Sequence, residues 1–152
     1  MSIVLDSPAA LPEAVGRSAT GDWFAIDQRR IQAFADATED WQWIHLDAER
    51  AASGPFGATI AHGYLTLSLL PRLTAGLIEV EGTSMVVNYG LDKVRFLQPV
   101  VVDSRVRAVT EVASVDATPQ GHRVVLRTTV ELEGSSRPAL VADAVALFVP
   151  GA

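Results

Sequence analysis

Asp40 and His45 stand five positions apart, and Gly63 closes the downstream run Ile60-Ala61-His62-Gly63. A positioned carboxylate and imidazole are the usual proton carriers of an acid/base site. A glycine opening a buried helix offers an N–H with no intrahelical acceptor, aligned with the positive end of the helix dipole. Glycine also lets a ligand approach the backbone closely, and one such donor facing a developing oxyanion is worth roughly 3 kcal/mol. The combination fits proton transfer next to a carbonyl whose oxygen gathers charge as an enolate forms.

These groups need elements to hold them. Trp23 to Ile26 reads as a short strand, and Asp27 can cap a helix whose apolar residues Ile31, Phe34 and Ala35 fall at helical spacing. Asp47 can cap a further short turn through Ala48 to Ala52, and Ser53 to Gly57 has loop composition. Asp40 and His45 are therefore expected in irregular structure. From Gly63 to Gly76 the chain is apolar nearly all round, as in one long buried helix that Pro71 should bend or end.

Beyond that helix the sequence turns rich in valine. Ser84–Tyr89, Lys93–Phe96, Ser104–Val115, His122–Glu133 and Ala139–Val149 read as strands. Val124, Leu126, Thr128, Val130 and Leu132 alternate with Arg123, Arg127, Thr129, Glu131 and Glu133, the pattern of an antiparallel strand with one wet face. Pro119-Gln120-Gly121 and Gly134 to Pro138 supply hairpin turns. The expected class is α+β, an antiparallel sheet wrapped around a long central helix.

With 152 residues, 49% hydrophobic and 20% charged, residues 1–152 are expected to form a single domain. The absence of cysteine rules out disulfides, zinc–thiolate centres and a thiol nucleophile, and is compatible with a reducing, cytoplasmic setting. Met1 to Glu13 lacks a basic start with a sustained apolar run, so neither export nor membrane insertion is expected. A net charge of −6 argues against a nucleic-acid partner.

Phe34, Ala35, Thr38, Asp40, His45, Asp47, Phe56, Ile60, His62 and Gly63 fit the spaced pattern Phe-Ala-x-x-(Ser/Thr)-x-Asp-x-Asn-Pro-x-His-x-Asp followed by Phe-x-x-x-Ile-x-His-Gly. In this, and in the segment Asn88 to Pro99, the chain resembles the MaoC-like dehydratases or R-specific 2-enoyl-CoA hydratases over about residues 20 to 150, in the branch of nodulation protein N and mycobacterial hydratases. Gln42 and Trp43 stand where that pattern has Asn and Pro. The resemblance implies a hot-dog fold, usually a homodimer, acting on acyl-CoA thioesters with R stereochemistry at carbon 3. It also implies Asp40 and His45 as the catalytic pair, with Gly63 as backbone donor to the thioester carbonyl.

Gln42, Trp43, His62, Tyr64, Lys93 and Arg95 are the candidate substrate-binding residues. Lys93 and Arg95 share a strand face, as do Arg105 and Arg107, and either pair suits the phosphates of coenzyme A or is simply solvated. Trp23, Trp41 and Trp43 are candidates for an acyl tunnel or for core and interface positions. His62 reads as a helix-entry residue that bonds locally rather than as a catalytic group. A metal held by Asp40, His45, Asp47 and His62 is conceivable by ligand type, but the spacing matches no zinc pattern, so no metal and no cofactor beyond the substrate's own coenzyme A is expected. The alternatives are a hot-dog thioesterase and a non-catalytic acyl-thioester-binding protein.

Overall fold

In a computed structural model that describes all 152 residues, the valine-rich alternation dictates the architecture. Strand β7 (Gly121–Leu132) turns Val124, Thr128 and Val130 inward and leaves Arg127 exposed. It pairs antiparallel with β6 (Arg105–Thr118) and with β8 (Leu140–Pro150), in registers such as Thr110↔Thr128 and Val130↔Leu140. Thr110 and Thr128 face each other at the core with hydroxyl oxygens 2.9 Å apart, so two buried polar groups satisfy one another. Strand β5 (Thr83–Phe96) pairs with β8 rather than with its successor β6. The sheet order is thus β2-β6-β7-β8-β5, with β2 (Ser18–Thr20) and the short β3 (Phe24–Ala25) both against β6. A second, two-stranded parallel sheet joins β1 (Ile3–Leu5) to β4 (Ile78–Val80).

Helices cover one face. Ile31 of α1 (Gln28–Thr38) and Leu65, Leu69 and Leu73 from the helical segment after Gly63 pack on Val106, Val130 and Leu140. Ile3, Leu11 and Leu77 pack on Val112, Val124 and Phe148 of the same sheet face. No helix is long and apolar enough to cross a membrane.

Two expectations need correction. Gly63 to Gly76 is not one long helix but α4 (Gly63–Ser68) and α5 (Leu70–Leu73), broken at Leu69. Pro71 has no N–H for the Leu67 carbonyl, and it sits in the first turn of α5, where that loss costs least. The segment is also not buried all round, since Tyr64, Ser68, Pro71 and Arg72 are exposed. Likewise Ser84–Tyr89 and Lys93–Phe96 are parts of one strand, β5, with register irregularities between Asn88 and Gly90 and between Leu91 and Lys93. The irregularities absorb the Gly90-Leu91-Asp92 stretch that reads as a break in sequence.

The β6–β7 turn requires glycine. Gly121 has φ 152°, and a Cβ there would collide with the carbonyl of Phe148 on the neighbouring strand. Gly121→Ala is expected to lower folding stability by at least about 2 kcal/mol, measured by urea denaturation, because backbone and not a movable side chain blocks the space.

Candidate active site

The residues at the site are delivered by the end of α1 and by a very short helix after it. Asp27 caps α1 by accepting from the Arg30 N–H at 2.9 Å, and Glu39 ends it in the left-handed region at φ 60°. That reversal sets Asp40 on an exposed, irregular segment, where its Oδ1 lies 3.4 Å from the Gln42 backbone nitrogen. His45, expected in irregular structure as well, is instead in α2 (Trp43–Leu46) and is buried.

One turn of helix is too short to hold itself, so its position comes from tertiary bonds. Gln28 Nε2 donates to the His45 carbonyl at 2.7 Å, and the Thr59 hydroxyl donates to Gln28 Oε1 at 2.6 Å. The Ile60 N–H donates to the Ile44 carbonyl at 3.0 Å. Sequence reasoning missed Gln28 and Thr59, which lie 17 residues from His45 and 31 residues from each other respectively.

The His45 ring is oriented by a bond from Nδ1 to the Ile60 carbonyl at 2.7 Å. A carbonyl only accepts, so the proton sits on Nδ1 and the Nε2 lone pair is left for chemistry. Burial pushes the pKa of His45 below its usual value; the Ile60 bond opposes this, His62 adds to it, and Asp40 opposes it. His62 is buried and stacks on His45 with ring centroids 3.8 Å apart. Its Nε2 donates to the Asp40 carbonyl at 3.0 Å and lies 4.0 Å from Asp40 Oδ2. His62 does stand at the entry to α4, but its bond is not local: it reaches 22 residues back to the Asp40 backbone.

Asp40, His45 and His62 offer ligand atoms within 4.8 Å of one another. A shared ion would have to lie about 2.0 Å from nitrogen in both imidazole planes, and rings stacked at 24° do not present lone pairs to a common point. Asp47, the fourth residue of the sequence-derived metal set, instead caps α3 (Ala48–Ala52) by accepting from Arg50 at 2.9 Å. Of the four, Asp47 is therefore committed to a helix cap and stands apart from the other three.

Beside His45 opens a cavity of about 440 Å³, lined by Ile44, Ile60, Gly63, Thr66 and Phe96 among others. Gly63 begins α4, so its N–H has no acceptor within the helix. The Phe96 ring lies against it, only 3.1 Å from where a Cβ would be. Thr66, one turn on from Gly63, and Phe96, at the end of β5, were not singled out from sequence; helical spacing from Gly63 was the signal for Thr66.

The other candidates divide. Tyr64 is exposed and edge-on to Phe96 at 6.0 Å. Gln42 is exposed, and Trp43 is half-buried with Arg50 stacked on it at 4.1 Å. Trp41 is exposed and donates to Asp36 at 2.8 Å. Lys93 and Arg95 are exposed on β5 and do not line the cavity. Arg105 and Arg107 pair across strands with Glu133 and Glu131, and Arg107 also covers Trp23 at 4.5 Å, so these belong to the sheet surface and not to the cavity.

His45 and Gly63 thus line one largely apolar cavity, and Asp40 stands beside His45 outside that lining. Residues 11–134 match the family described as the MaoC like domain. The chain is 51% identical over 147 residues to 3-hydroxyacyl-thioester dehydratase Z of Mycobacterium tuberculosis, covering 96% of this chain and 95% of that protein. It is 42% identical over 148 residues to nodulation protein N of Rhizobium leguminosarum bv. viciae, covering 94% and 89%. Among solved structures, the unliganded R-hydratase PhaJ1 from Pseudomonas aeruginosa matches with a TM-score of 0.73 at 28% identity, over 91% of this chain and 83% of that one. The chain belongs to the MaoC-like dehydratases, lyases of hot-dog fold that add or remove water.

The lowered pKa of His45 has a signed consequence for stability. As the pH falls through 6.5 the unfolded chain takes up a proton at this imidazole, while the folded chain resists until a lower pH. Stability is therefore lost as the pH falls below 6.5 and is fully present above it. The wild type is expected to lose more stability than His45→Gln between about pH 7 and about pH 5 in urea denaturation, and equal slopes would refute a buried neutral His45.

Proposed function

We propose that the chain catalyses the reversible hydration of trans-2-enoyl-CoA to (R)-3-hydroxyacyl-CoA. The observation that carries the reading is the fixed His45 tautomer, with a bare Nε2 beside Asp40 and next to the cavity that Gly63 lines. A water held between Asp40 and His45 Nε2 loses a proton to that nitrogen, and its oxygen bonds to carbon 3. The double-bond electrons move toward the thioester oxygen, where the Gly63 N–H donates to the growing charge. The proton then returns from Nε2 to carbon 2, so one water is consumed and both of its parts are accounted for. Asp40 orients the water and stabilises the transient imidazolium. No metal or redox cofactor enters this scheme.

Tyr64 and Trp43 are the proposed contacts beyond the reacting carbons, and Gln42 supports the loop that holds Asp40. Lys93 and Arg95 are the proposed contacts for coenzyme A phosphates, since both are exposed and neither is in an ion pair. Exposed apolar residues on the long edge strand β5, including Met85, Val86, Val87, Tyr89 and Leu91, support a homodimer in which a second copy covers that edge. The cysteine-free composition supports a cytoplasmic setting.

Hydration is measured by loss of enoyl-thioester absorbance with crotonyl-CoA and longer trans-2-enoyl-CoAs, with thiol release followed in parallel. Asp40→Asn and His45→Ala, both folded, are each expected to lower kcat/KM by at least roughly 100-fold without thiol release. Near-normal hydration by both would sink the assignment, and thiol release by the wild type would move the reading to a thioesterase. Sedimentation is expected to give twice the chain mass of 16.2 kDa, and a monomer at working concentration would refute the dimer.

A further inference from the structure

We propose that the Thr66 hydroxyl is a second hydrogen-bond donor to the thioester oxygen, converging with the Gly63 N–H. The inference rests on the hydratase reading and adds a residue to it. Thr66 is 3% exposed, and its hydroxyl is buried without a partner while the residue lines the same cavity as His45 and Gly63. A helical threonine usually returns its hydroxyl to the carbonyl four residues back. Thr38 does so to Phe34 at 2.7 Å, and Thr74 does so to Leu70 at 2.8 Å. At Thr66 the equivalent carbonyl, that of His62, takes only the backbone N–H at 3.2 Å.

Placement gives the direction. Thr66 is three residues after Gly63 and so on the same face of α4. Helical side chains lean back over the preceding turn, which carries the hydroxyl toward Gly63, a residue with no side chain of its own to occupy that side. A buried hydroxyl without a partner weakens the empty protein. Its missing acceptor is an oxygen brought by the occupant of the cavity, and the thioester oxygen is the one that gains charge during the reaction.

The test compares wild type, Thr66→Val and Thr66→Ser by steady-state hydration of crotonyl-CoA and longer trans-2-enoyl-CoAs, with thermal melts of each protein. Valine keeps the shape and removes the donor, so kcat is expected to fall roughly 100-fold with KM within about threefold, while serine keeps most of the activity. The valine variant is expected to melt at or above the wild-type temperature, because it removes an unsatisfied hydroxyl that a merely structural threonine would not have. Wild-type kcat in Thr66→Val, equal losses in the two variants, or a melting temperature of Thr66→Val well below wild type would each overturn the assignment while leaving the hydratase reading intact. Failure of the wild type to hydrate any of these thioesters would overturn both.

Discussion

The hydrogen bond from His45 Nδ1 to the Ile60 carbonyl, 2.7 Å long, joins two constraints that the rest of the site depends on. One is chemical, since a carbonyl acceptor fixes the imidazole proton on Nδ1 and so decides which nitrogen can act as a base. The other is mechanical, because Ile60 also donates its own N–H to Ile44, so the single turn of α2 and the segment at Ile60 hold each other from both sides. That segment is anchored in turn by Ala61 N–H to the Val100 carbonyl at 2.8 Å and by Val102 N–H to the Thr59 carbonyl at 2.9 Å. Gln28 and Thr59 extend the same lattice back to the start of α1. The four-residue helix that carries His45 is thereby tied to the start of α1 and to the segment at Ile60.

The stacked pair of buried imidazoles sets the electrostatic character of the site. His62 spends its Nε2–H on the Asp40 carbonyl, which fixes the exposed end of the pair from beneath. Burial, with the His62 ring 3.8 Å away, lowers the pKa of His45. The Ile60 carbonyl and, more weakly, Asp40 act in the opposite direction on the His45 ring.

Much of this was legible in the chain. The spacing of His45 and Gly63 marked two residues that line one cavity, with Asp40 next to His45, because a motif spanning two dozen residues records a local fold. The alternation along β7 reported its wet and dry faces correctly, since side-chain direction follows directly from period two. What escaped was whatever depends on partners distant in sequence. No local signal tells β5 to join β8 instead of β6, and none pairs Arg107 with Glu131, a contact that exists only because the β6–β7 register sets them opposite. Pro71 marked an interruption of the helix after Gly63, and the break falls two residues earlier, at Leu69, because the proline takes a place in the first turn of α5. Gln28 carries no local signal, because its role depends on His45, 17 residues away, and Thr59, 31 residues away.

Phe96 belongs to two structures at once. It is the last residue of the exposed edge strand β5, and its ring is the wall that closes on Gly63 and meets Tyr64 edge-on. The width of the cavity beside the candidate oxyanion donor is therefore not an independent dimension of the protein: widening it means moving the end of the sheet, and any sliding of β5 along β8 redraws the space in which a ligand's carbonyl must fit.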